Sequence, residues 1–146
     1  MKREQAYFYQ VYKGLAMGFG MCEAAFMAYM ADLDRLRMSG ADTLSGLNAH
    51  LGVTGMGRRV FERCVRKAVR MGLLEKVPAD GRYDYVWNGA AYARLVEIVS
   101  SNASYVVLRE FCDRVFGKDG REVSSITDSE VRALKDTPFP TSGKRQ

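Results

Sequence analysis

Histidine is almost missing from this chain, and His50 is the sole example. One imidazole cannot anchor a metal site or complete a triad alone, and no acid or nucleophile stands at a recognisable spacing from it. Cysteine is scarce too. Cys22, Cys64 and Cys112 are widely spaced and odd in number, which suits neither a disulfide framework nor a zinc knuckle. Each falls on an apolar helical face, so we expect three buried, reduced thiols and a reducing compartment. Long apolar runs are absent, because glycine and charge interrupt every stretch well before the roughly 18 residues of a bilayer span. The opening Lys2-Arg3-Glu4-Gln5 leads into aromatic residues, not into the apolar core of a secretory signal. These absences predict a cytoplasmic protein with no membrane association, no metal, no cofactor and no enzymatic chemistry. Asp32 and Asp34, two apart on a helix, point to different faces and are poor paired carboxylates. Gly52, Gly55 and Gly57 have neither the preceding strand nor the Gly-Lys-Ser/Thr of a phosphate cradle.

What is present is a real core and a local excess of positive charge. The 146 residues are 47% hydrophobic, enough for one compact domain. Residues 5–16 fit a strand through Tyr7, Tyr9 and Val11, or a helix through Phe8, Tyr12 and Leu15. Gly14, Gly18 and Gly20 then loosen the chain. A helix over about 21–38 follows, with Cys22, Ala25, Phe26, Tyr29, Met30 and Leu33 on its apolar stripe. Most methionines here are expected to fill the core. Thr43 can cap a short helix with Leu44, Leu47 and Leu51 buried, and Gly52 suits the tight turn after it. A strong helix to about Met71 carries the stripe Phe61, Cys64, Val65, Ala68 and Met71, and Gly72 stops it. Leu74–Val77 and Tyr83–Trp87 read as strands around the turn formers Pro78-Ala79-Asp80-Gly81. Tyr83, Tyr85 and Trp87 share one face and are read as packing residues. Two amphipathic helices, about 90–100 and 104–116, come next. We expect the ordered domain to cover 1–117 and a polar, partly disordered tail to cover 118–146, with one short helix from Thr127 to Leu134, capped by Thr127 or Asp128.

The net charge is +5, and much of the excess sits in the helix after Gly57. Its outer face carries Arg58, Arg59, Glu62, Arg63, Arg66, Lys67 and Arg70. Six cations and one glutamate leave little scope for internal pairing, and such a surface repels itself unless something negative lies opposite. DNA phosphates supply that charge, and an α-helix fits the major groove, where arginine contacts guanine bidentately. A solvated basic face without a partner is the plainer reading. The flanking helix, glycine turn and hairpin argue against it.

Leu51-Gly52-Val53-Thr54, the basic helix, and Gly72-Leu73-Leu74 before the hairpin resemble the bacterial winged helix-turn-helix pattern over roughly residues 20–90. Phe8-Tyr9-Gln10-Val11-Tyr12-Lys13 and the helix after it are similar to the N-terminal domains of phage and plasmid replication organisers. The wing that runs through Trp87-Asn88-Gly89 into a helix looks instead like MarR-type or PadR-type regulators. The resemblance implies a mostly α fold with a small β-hairpin wing and additional C-terminal helices. It departs from the pattern in spacing, since Thr54-Gly55-Met56-Gly57 is about three residues longer than usual. The recognition helix therefore begins either at Thr54 or after Gly57.

The resulting expectation is double-stranded DNA binding, in transcriptional regulation or in replication control of a mobile element. Arg58, Arg59, Glu62, Arg63 and Arg66 would face the groove, with Arg59 and Arg63 reading bases. Lys67, Arg70, Lys76 and Arg82 would hold phosphates, the last two from the wing. The apolar stripes of the two C-terminal helices predict a homodimer. A different reading uses the same arginine face to bind an acidic protein, since fold does not determine function.

Overall fold

The computed structural model describes residues 10–37, 54–79, 82–100, 104–118 and 120–136. The predicted helix between Thr43 and Leu51 and the end of the chain after 136 lie outside them. The protein is mostly helical, with a small two-stranded antiparallel hairpin. In chain order the elements are α1 (Lys13–Phe19), α2 (Met21–Arg37), α3 (Arg58–Arg70), β1 (Leu74–Ala79), β2 (Arg82–Trp87), α4 (Gly89–Val99), α5 (Tyr105–Phe116), a 3-10 turn (Val123–Ser125) and α6 (Asp128–Lys135).

Of the segment open to either reading, residues 5–9 lie outside the described ones, 10–12 form neither helix nor strand, and from Lys13 runs a helix whose glycines do not loosen it. Gly14 and Gly18 lie inside α1, and only Gly20, with φ +97°, breaks the chain before α2. A side chain at Gly14 would begin 2.2 Å from the Val99 carbonyl oxygen, and one at Gly18 would begin 2.6 Å from the Cys112 sulfur. Glycine is needed there because α1 lies directly against α4 and α5.

The predicted stripe of α2 is only partly the buried one. Ala24, Phe26, Met27, Ala28 and Met30 are buried, whereas Met21 and Cys22 are exposed. Helix α2 is packed by α1, α3 and β2, so contact comes from several sides and one stripe does not describe it. Its first turn overhangs that packing, which corrects the expectation that all three cysteines are buried.

Helix α3 starts at Arg58, with Gly57 as an N-cap that supplies no side-chain hydrogen bond. Gly55, at φ +74°, breaks the chain between Thr54 and this helix, so the start after Gly57 is the one observed. Phe61, Cys64, Ala68 and Met71 are buried as expected, with Val65 at the margin. The Phe61 ring meets Phe26 of α2 edge-on at 5.5 Å. The helix ends in a Schellman arrangement: Gly72 N–H donates to the Val69 carbonyl at 3.1 Å and Leu73 N–H to the Ala68 carbonyl at 2.9 Å. Gly72 accepts the φ of +82° that this geometry demands.

The chain then passes directly into the hairpin. Leu74 pairs with Trp87 at its base, both buried, and Asn88 N–H closes it by donating to the Leu73 carbonyl at 2.8 Å. The pairing runs two rungs further than predicted, with Pro78 opposite Tyr83 and Ala79 opposite Arg82, so the connection is two residues long. Pro78 is tolerated because its rung with Tyr83 alternates with the hydrogen-bonded ones, counted from the Asn88–Leu73 bond, so its missing N–H faces away from β2. Trp87 stacks near Tyr92 of α4 at 5.3 Å and is a packing residue. Asn88 caps α4 through the Ala91 N–H at 3.0 Å.

The stripes of α4 and α5 are mostly consumed inside the chain. Leu95, Ile98, Val99, Leu108, Phe111, Cys112, Val115 and Phe116 are buried within the chain, whereas Tyr105, which opens the predicted stripe of α5, is exposed beside Val106. The segment expected as a polar tail from 118 also differs, as far as residue 136. Val123, Ile126, Val131 and Leu134 belong to the core, and Val123 N–H donates to the Met71 carbonyl at 2.8 Å. Four apolar residues among many polar ones suffice because they face one way. The short helix starts as expected, on a Thr127–Glu130 capping box. Among the described residues no helix is long and apolar enough to cross a membrane.

Candidate nucleic-acid interface

The charge excess has a sharp location. Residues 54–79 hold seven cations and two carboxylates, a net of +5, which equals the excess of the whole chain. Residues 1–53 carry five of each sign and residues 80–146 carry ten of each, so the rest of the molecule is balanced.

On α3, buried Phe61, Cys64, Ala68 and Met71 define one side. At 3.6 residues per turn, Arg59, Arg66 and Arg70 fall within about 40° of one line on the opposite side, and that line runs about 16 Å. All three are exposed, and no ion pair or hydrogen bond engages their side chains among the described residues. The other cations are occupied, one by the single glutamate of the helix and two by neighbouring helices. Arg58 faces Glu62 at 3.7 Å, Arg63 faces Glu23 of α2 at 4.0 Å, and the Lys67 ammonium lies 5.1 Å above the Phe19 ring. Lys67 is consequently half-buried.

The seven predicted α3 residues thus separate into a free ridge of three arginines, a self-paired flank of Arg58 and Glu62, and a flank of Arg63 and Lys67 tied to α1 and α2. Lys76 is exposed but sits opposite Tyr85 within the ladder, while Arg82 opens β2 beside the two-residue connection. Sequence reasoning missed Glu23. Its only sequence signal is an acidic residue in the first turn of a helix, which the helix dipole explains without any function.

Beneath this face the chemistry is inert. Burial is the main cause that pushes the Cys64 thiol up to about 11, with the Glu23 charge adding to it. Burial likewise raises Cys112 to about 12. Both stay protonated at neutral pH.

No protein-family model, curated protein or solved structure matches this chain.

Proposed function

We propose that this protein binds double-stranded DNA through α3, as a winged helix-turn-helix protein acting in transcriptional regulation or in replication control of a mobile element. One observation carries the reading: the whole net charge of the chain lies on residues 54–79, and three arginines without a partner among the described residues line the ridge of α3 farthest from the core. A helix of this diameter fits the major groove, where its outer ridge meets base edges and its flanks meet phosphates. Arg59, in the first turn, is the base-reading candidate, and Arg70, at the far end, contacts phosphate. Glu62, beside Arg59, can accept from the amino group of cytosine. The hairpin beginning directly after α3 would act as the wing, with Lys76 and Arg82 as its cations.

The test is an electrophoretic shift series on generic duplex DNA at several salt concentrations. The double variant Arg66→Ala, Arg70→Ala should flatten the slope of log affinity against log salt by about 2, near one unit per lost phosphate contact. Its melting temperature should stay close to wild type, since exposed positions usually shift stability by no more than about 0.5 kcal/mol. If the folded double variant binds as wild type does at every salt concentration, the α3 interface is wrong and an acidic protein becomes the better partner for this face.

A further inference from the structure

Arg63 and Glu23 join α3 to the first turn of α2. The guanidinium and carboxylate are 4.0 Å apart, and the side chains are 55% and 15% exposed. The contact is an ion pair without a hydrogen bond. It is looser than Arg121–Glu130 or Arg94–Asp128, which bond at 2.6 and 2.7 Å. A pair this loose neutralises charge without setting a direction for the guanidinium. Glu23 has other compensation for its charge. It lies in the first turn of α2, where the helix dipole favours an anion. Among the described residues Arg63 is the cation that forms an ion pair with Glu23.

We infer that Glu23 is a specificity-determining residue that holds Arg63 out of general phosphate contact, acting as a built-in competitor for the polyanion. This rests on the DNA-binding reading and revises the expectation that Arg63 reads a base. Withholding one cation of the basic face lowers affinity for any duplex alike, because phosphate contacts carry no sequence information. It leaves the base-reading Arg59 untouched, so a larger share of the binding free energy depends on sequence.

The experiment is a double-variant cycle of Glu23→Gln and Arg63→Ala, read as the salt slope of generic duplex binding and as the salt concentration of elution from immobilised heparin. Glu23→Gln keeps the side-chain volume. It should steepen the slope by about 0.9, so that its advantage over wild type shrinks about 3.5-fold between 50 and 200 mM salt. It should also elute later from heparin. In the Arg63→Ala background the same change should do neither. Glu23→Asp, which draws the charge back from Arg63, is the second variant and should move both readouts in the same direction as Glu23→Gln. An unchanged slope and elution, or a change that survives Arg63→Ala, overturns the inference. Loss of duplex binding by wild type, with the heparin cycle behaving as described, overturns the DNA reading and leaves the role of Glu23 intact.

Discussion

Cys64 and Cys112 are thiols held protonated by the apolar surroundings that raise them to about 11 and about 12. A thiolate is the reactive form, so both are doubly protected, by pKa and by exclusion of reagent. Cys22 stands exposed in the first turn of α2. A thiol-labelling time course on the native protein at pH 8 should therefore give one fast equivalent and leave two unreacted until denaturant is added. Two or three fast equivalents would mean that the α3 and α5 cores open readily. The exposure of Cys22 was not legible in the sequence. Its spacing to Ala25, Phe26 and Tyr29 fits an apolar stripe, and only the packing of α2 against three neighbours shows that the first turn overhangs the core. Arg63 has the same lesson. Its position on the outer face of α3 follows from the helical period, but its carboxylate partner comes from a helix forty residues earlier in the chain.

At the scale of elements, α1 shows how close packing is achieved. Gly14 and Gly18, four apart, place one bare edge of the helix against α4 and α5, and the neighbours lie too close for a methyl group. Alanine usually favours a helix by about 0.5–1 kcal/mol over glycine, but overpacking costs about 1–3 kcal/mol, so packing should win. Gly14→Ala should destabilise more than Gly18→Ala, because a carbonyl oxygen of a helix end moves less easily than a cysteine side chain. Chemical denaturation of the two variants measures this, and a stabilised Gly14→Ala would contradict the packing. The four-residue glycine spacing is visible in the sequence, yet without a partner helix it reads as a loosened backbone. By contrast the stop of α3 at Gly72 and the start of α6 at Thr127 are local signals, and both appear where expected.

At the scale of the whole molecule, the C-terminal segment is tied to the rest by one arginine, Arg94, and braced internally by another, Arg121. Arg94 of α4 donates to the Ile126 carbonyl and to Asp128, across the start of α6. Arg121 donates to both oxygens of Glu130, at 2.6 and 3.0 Å, and to the Ser125 carbonyl at 2.7 Å. The Arg121 hydrogen bonds, then those from Thr127, lower Glu130 from its ordinary 4.5 to about 2. A carboxyl with a depressed folded-state pKa contributes stability that is fully present above about 4.5 and is lost as pH falls through about 2. Melting curves of wild type and Glu130→Gln should therefore differ at pH 7, converge steadily below pH 4.5, and meet near pH 2. A gap independent of pH would show that the carboxylate charge is not what matters.

Much of this molecule was determined by local sequence alone. The basic helix, its buried stripe, its glycine stop, the hairpin directly after it and the two helices beyond follow from period, capping and turn chemistry, which act over a few residues. The candidate face was legible for the same reason, since six cations on one helix cannot all turn inward. Tertiary structure decided the rest, because it depends on which surfaces meet. It joined residues 120–136 to the core through four apolar side chains that composition hides among polar ones. It buried most of the stripes of α4 and α5 within one chain while leaving Tyr105 exposed, where periodicity shows only that a face is apolar and not what covers it. It also divided the arginines of α3 into free and paired, since an ion pair between helices depends on distance in space, which sequence separation does not encode.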